Sequence, residues 1–159
     1  MPGGDVAIGL SSDRPCFLPS PVLESDGNLG ATDFTHRIIV CSLCRDSATG
    51  LRSGEDLCAD LRSRLSAYQS QVLDYAIETV DCMAGCARPL TVAFQANGKA
   101  SYLFGSIDRG TDATALVEFA RFYASLADGW CNSGQRPARL AGKTLARIPA
   151  AANPPGQGR

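Results

Sequence analysis

The chain is short of lysine, histidine and net charge. Thirteen Arg stand against Lys99 and Lys143 alone, His36 is the sole histidine, and 15 basic residues nearly balance 16 acidic ones. A surface this close to neutral lacks the concentrated basic field needed to grip nucleic acid or an anionic membrane. With one histidine, no Ser–His–Asp or Cys–His set can be composed beyond chance. Neither a G-x-x-x-x-G-K phosphate loop nor a G-x-G-x-x-G occurs. No stretch approaches the roughly 18 apolar residues of a membrane span. Met1 to Leu10 has no basic segment, and Asp5, Asp13, Glu24 and Asp26 break any apolar run, so no secretory signal is read. The expected location is therefore cytoplasmic, with no nucleic-acid or membrane partner. The arginine preference suits bidentate pairing, but a GC-rich genome gives the same bias and is the simpler account.

What is abundant is cysteine: seven in 159 residues. In a reducing compartment structural disulfides are rare, and paired cysteines more often signal metal or redox chemistry. At this length one domain is expected. Residues 1–33, with Pro2, Pro15, Pro19 and Pro21, read as a loose arm, residues 34–149 as the folded domain and residues 150–159 as a tail.

Order begins at Arg37-Ile38-Ile39-Val40, a short apolar β-branched run that reads as a buried strand and ends directly on Cys41. Ser53 followed by Asp56 is a capping-box signal, and Leu57, Leu61, Leu65 and Tyr68 recur at helical spacing behind it. Tyr75, Ile77 and Thr79 alternate as a second strand that likewise ends on a cysteine, Cys82. Leu90–Phe94 and Ser101–Phe104 flank Asn97-Gly98, a hairpin signal in which both central residues take positive φ. Thr111 and Asp112 then cap a helix with Leu116, Phe119, Ala120, Tyr123 and Leu126 on its apolar face. The order β-α-β-β-β-α implies an α/β sandwich, two main helices against a small mixed sheet, and no internal repeat is found.

The position of the cysteines relative to strand ends carries the chemistry. Cys41 and Cys44 follow the first strand; Cys82 and Cys86 follow the second. A β-α-β crossover makes those strands parallel, so both pairs leave the sheet at the same end. Four converging thiols match a two-iron, two-sulfur cluster, which takes two thiolates on each iron. Zinc also accepts four thiolates, although compact zinc sites space their pairs about 15–20 residues apart. The plant-type and bacterial ferredoxin spacings are absent.

The two pairs and the run Cys82-Met83-Ala84-Gly85-Cys86-Ala87-Arg88-Pro89 resemble the thioredoxin-like two-iron ferredoxins, among them a subunit of respiratory NADH:quinone oxidoreductase. The chain more closely resembles an uncharacterised bacterial family of predicted metal-binding proteins. That likeness is carried by both pairs, Ser101-Tyr102-Leu103-Phe104-Gly105, Asp128-Gly129, Arg136-Pro137 and Arg147-Ile148-Pro149, and it spans roughly 38 to 149. The resemblance implies a thioredoxin-like ferredoxin sandwich. It also implies a 2Fe-2S cofactor on Cys41, Cys44, Cys82 and Cys86, electron transport to a redox protein partner without enzymatic turnover, and a possible homodimer. It further suggests a cis bond at Pro89.

Gly50 and Gly85 could admit backbone N–H groups to the sulfurs, or could serve turn geometry alone. Arg45 and Arg88 stand beside the ligands, either to offset negative charge or simply as solvated arginines. Cys58 reads as a core residue, Cys131 as structural, Cys16 as part of the arm and His36 as a surface histidine. Three other uses of the thiols stay open. One is a thiol–disulfide oxidoreductase built on Cys41 and Cys44, against which stands the distance from Cys44 to the helix start at Ser53. The others are a zinc or metal-delivery module without a redox role, and a cluster that senses rather than transfers.

Overall fold

The structure is a computed structural model that describes residues 35–46, 49–68 and 75–151. The expectations for residues 1–33, Cys16 among them, and for most of the tail lie outside the described residues. Everything described belongs to the unit Asp33–Arg159.

Five strands form one mixed sheet in the order β2-β1-β3-β4-β5. They are β1 (His36–Cys41), β2 (Tyr75–Val80), β3 (Val92–Ala96), β4 (Ser101–Phe104) and β5 (Thr144–Ile148). β1 and β2 are parallel, joined by the crossover helix α1 (Gly54–Ser66); β3, β4 and β5 follow as antiparallel neighbours. The second helix, α2 (Arg109–Ser125), packs beside α1. This is the α/β arrangement, two main helices with a small mixed sheet, that the element order implies.

β1 is buried because it lies between β2 and β3; β2, with one neighbour, is only half-buried. The core over β3 and β4 is aromatic. Phe119 of α2 meets Phe94, Phe104 and Tyr102 edge-on at 4.9, 5.0 and 5.3 Å between ring centroids. Such tilted pairs add about 1 kcal/mol each beyond their burial.

Several boundaries differ from the sequence reading. Ser53 does cap α1 by position, yet its hydroxyl donates to Leu51 O instead of closing the box. Leu57, Leu61 and Leu65 are buried, whereas Tyr68 lies past the helix and is exposed, with the Arg121 guanidinium over its ring. The third strand starts at Val92, two residues late, although Leu90 and Thr91 are fully buried. In the hairpin only Gly98 has positive φ, at 69°, so the connection is longer than a two-residue mirror turn. The cis peptide lies between Pro89 and Leu90, one bond later than expected. α2 is capped by Asp108, whose carboxylate accepts from Thr111 N at 2.8 Å, and not by Thr111 or Asp112. Leu126 ends that helix, half-buried.

Asp112 is instead a buried carboxylate. It accepts from Asp108 N, from Arg139 at 3.0 Å and from Lys143. These bonds tie α2 to the segment that leads into β5, a strand absent from the sequence reading.

Candidate metal centre

Cys41 is the last residue of β1 and stands opposite Val80 in the parallel register. The ladder continues past both strands. Ser42 N donates to Val80 O at 2.8 Å and Leu43 N to Asp81 O at 3.3 Å. The Cys41 thiol donates to the same Asp81 carbonyl at 3.3 Å. The turn after β1 and the turn after β2 are thus hydrogen-bonded to each other on one rim of the sheet. The structure brings both cysteine pairs to that rim.

The inner pair is buried: Cys41 is 1% exposed and Cys44 5%. Burial alone would raise the Cys41 thiol, but hydrogen bonds from the Cys44 thiol and from the amides of Cys44, Leu43 and Met83 hold it below its ordinary value. Met83 belongs to the other turn, so amides from both turns converge on one sulfur. Cys44 goes the opposite way: burial raises it, and its bond to Cys41 raises it further. Its sulfur lies 3.7 Å from Thr91 Oγ1.

The loop from Arg45 to Arg52 carries the chain back to this rim. Arg45 and Arg52 pair as an isolated bridge, and Gly50, at φ 70°, closes the turn. A Cβ on Gly54 would fall well inside contact distance of Cys41 O, so only glycine lets the first turn of α1 rest on the Cys41 backbone. The positive end of the α1 dipole is therefore beside Cys41. The sequence argument that the helix starts too far from the first pair is overturned: eight loop residues separate Cys44 from Ser53 in the chain, but the fold cancels that distance.

The outer pair is exposed. Cys82 and Cys86 hold their sulfurs 4.0 Å apart, and Ala84 N donates to Cys82 Sγ at 3.3 Å. Ala84 reaches that position with φ at 57°. The thiol of Cys86 is raised by sharing a hydrogen bond with Cys82, by the charge of that neighbour and by Cys41. Gly85 has a packing role: a Cβ there would collide with the Thr91 methyl.

The arginines beside the ligands bond to loops. Arg45 donates to Gly50 O at 3.0 Å, and Arg88 donates to Ser106 Oγ at 3.1 Å and Gly142 O at 2.8 Å. Cys58 is in the core as expected, near Glu78 O. Cys131 is buried with its sulfur 3.3 Å from Tyr102 Oη. His36 is not a free-standing surface residue: it opens β1, half-buried against the Tyr75 ring at 5.1 Å. Six residues of extended strand put it about 16 Å from Cys41, outside any shared site.

Among the described residues, no three His, Cys, Asp or Glu side chains already form one compact metal cage. The thiols stand as two pairs.

Comparison with known proteins places the matched span over residues 38–150. The chain belongs to DUF1636, a family described as a protein of unknown function. No curated protein matches it. Among solved structures, a thioredoxin-like [2Fe-2S] ferredoxin from Aquifex aeolicus is 15% identical, covering 77% of this chain and 97% of that one with a TM-score of 0.45. A second, wild-type structure of such a ferredoxin from the same organism is 13% identical over 70% of this chain and 96% of that one, at 0.46.

The DUF1636 span includes all four cysteines and two residues that sequence reasoning missed. Thr91 touches both turns: its carbonyl accepts from Cys41 N at 3.1 Å, its hydroxyl meets Cys44 and its methyl meets Gly85. Gly54 docks the helix. A threonine just before a strand and a glycine opening a helix carry no distinctive pattern, so no sequence signal exposes either.

Proposed function

We propose that this chain is an electron-transfer protein holding one 2Fe-2S cluster on Cys41, Cys44, Cys82 and Cys86, and that it exchanges electrons with a protein redox partner without catalysing a reaction of its own. The observation that carries the reading is the convergence of two thiol pairs on one rim, locked by hydrogen bonds between their turns. A cluster, when bound, supplies a one-electron acceptor. The donor set suits it. A tetrahedral metal with sulfur bonds near 2.3 Å keeps two thiolates about 3.8 Å apart. The 4.0 Å between Cys82 and Cys86 is close to that value.

Separate pairs favour a centre with two metals over a single zinc, which would draw all four sulfurs to one point. The rest of the chain's contribution is electrostatic. Thiolate ligands concentrate negative charge; the amides of Leu43, Cys44 and Met83 around Cys41, the Ala84 amide on Cys82 and the α1 N-terminus oppose it. The buried inner pair excludes water on one side, while the exposed outer pair leaves a short path to a partner.

The deciding experiment is anaerobic purification without added metal, followed by iron and sulfide analysis and optical and EPR spectra before and after dithionite. Two irons and two sulfides per chain, with an EPR signal only after reduction, are expected. A colourless protein free of iron and sulfide overturns the reading; one zinc per chain replaces it with a structural metal site.

A further inference from the structure

We infer that Cys82 and Cys86 also form a reversible disulfide by exchange with a low-molecular-weight disulfide such as oxidised glutathione, and that this bond and a loaded cluster exclude each other. The disulfide stands on geometry alone; the exclusion rests on the cluster reading above.

Three observations carry the inference. The two sulfurs are already in contact at 4.0 Å, and bond formation needs them to close to about 2.05 Å. Both residues are exposed, whereas Cys41, Cys44, Cys58 and Cys131 are buried. Both sit in the turn of residues 82–88 that follows an edge strand, where the internal backbone bond is Arg88 N to Gly85 O. A small adjustment of side-chain torsions in such a turn disturbs no core packing. A dissolved disulfide therefore meets this pair before any other cysteine in the described domain.

Cys82, whose sulfur is held in the turn by the Ala84 N–H at 3.3 Å, is the attacking group and Cys86 the resolving one. Attack on one sulfur of the small disulfide breaks that S–S bond, expels one thiolate and leaves a mixed disulfide on Cys82. The Cys86 thiolate then attacks the Cys82 sulfur, forming the internal bond and expelling the second thiolate. The protein loses two electrons and two protons, and the small disulfide gains them as two thiols. An oxidised pair cannot ligate metal. A pair engaged by metal has no free thiolate with which to attack.

The test uses the full chain, freed of metal and reduced, then equilibrated with defined mixtures of reduced and oxidised glutathione. After alkylation, peptide mapping should show a Cys82–Cys86 linkage whose fraction rises with the oxidised share and returns to zero in excess thiol. Cys86→Ser should abolish the linkage and accumulate glutathione on Cys82. A first disulfide between Cys41 and Cys44, or two alkylatable outer thiols throughout the series, overturns the inference. Oxidised and reduced samples are then given ferrous iron and sulfide. At least tenfold less chromophore in the oxidised sample supports the exclusion, and equal chromophore overturns it. A reversible linkage in a protein that takes up no iron when reduced keeps the disulfide and removes the cluster reading.

Discussion

The turns after β1 and β2 carry the same kind of motif at the ends of paired parallel strands, yet they differ in almost every physical respect. One is buried and the other is open to solvent, because β1 lies inside the sheet and β2 at its edge. The inner turn is fixed by backbone bonds to Val80, Asp81 and Thr91 and by the helix resting on it. The outer turn leans on the C-terminal segment: Arg88 reaches Gly142 O, and Leu145 lies over Gly85. Strand position therefore decides which thiols are structural anchors and which meet the outside. Cysteine spacing alone is silent on this point.

The largest expected effect tests the support of the outer turn from a distance. Asp112 holds Lys143 and Arg139, and with them the approach to β5. Asp112→Asn removes the charge of a fully buried carboxylate, unpairs half-buried Lys143 and exposed Arg139, and should cost about 3 kcal/mol in chemical denaturation. The Asp112 carboxyl is held below the usual range. Burial would raise it, but Lys143, the Asp108 amide and Arg139 outweigh that. Its contribution is thus present above the unfolded carboxylate value near ~4 and is lost as pH falls through the lower folded value. The wild type should lose stability more steeply than Asp112→Asn in that acid window; identical acid profiles would rule this group out.

Glycine substitutions separate the two turns next. Gly54→Ala drives a methyl into Cys41 backbone, which cannot move without disturbing the sheet, and should cost about 2–3 kcal/mol together with most of the bound iron. Gly85→Ala meets a side-chain methyl behind an exposed turn and should cost about 1 kcal/mol. Among the ligands, Cys44→Ser buries a more polar group and should cost about 1–2 kcal/mol, while Cys86→Ser should stay within about 0.5 kcal/mol. Both should abolish cluster assembly, measured as iron per chain. Equal stability costs for the two serines would erase the distinction between inner and outer pairs.

Much of this was readable in the residues, for identifiable reasons. The β-branched run before Cys41 and the alternation before Cys82 mark strands through side-chain period, and the crossover rule then makes them parallel. Convergence of the pairs follows from those two facts. What the sequence cannot show is anything set by non-local contact. Asp112 looks like a helix cap because the cations it pairs with lie some 30 residues on, in Arg139 and Lys143. β5 escaped because Thr144–Ile148 is half-exposed and has no alternation. The separation of Ser53 from Cys44 misled because chain distance is not spatial distance once a loop folds back.

The smallest effect is the most discriminating, since Thr91 serves both turns with different atoms. Its hydroxyl faces Cys44 and its methyl faces Gly85. Thr91→Val keeps the shape and removes only the hydrogen bond to sulfur. If Cys44 is a ligand, the reduction potential should fall, by about 10–40 mV for a bond worth up to about 1 kcal/mol. Thr91→Ser keeps the hydroxyl and should leave the potential where it is. Loss of the methyl should instead open space at Gly85, so that Gly85→Ala costs less in the Thr91→Ser background than in the wild type. Valine acting on the potential and serine on the glycine would place the two turns on opposite sides of one side chain. A potential indifferent to valine would mean that Cys44 does not ligate the centre, and strictly additive costs at Thr91 and Gly85 would mean that the outer turn is supported elsewhere.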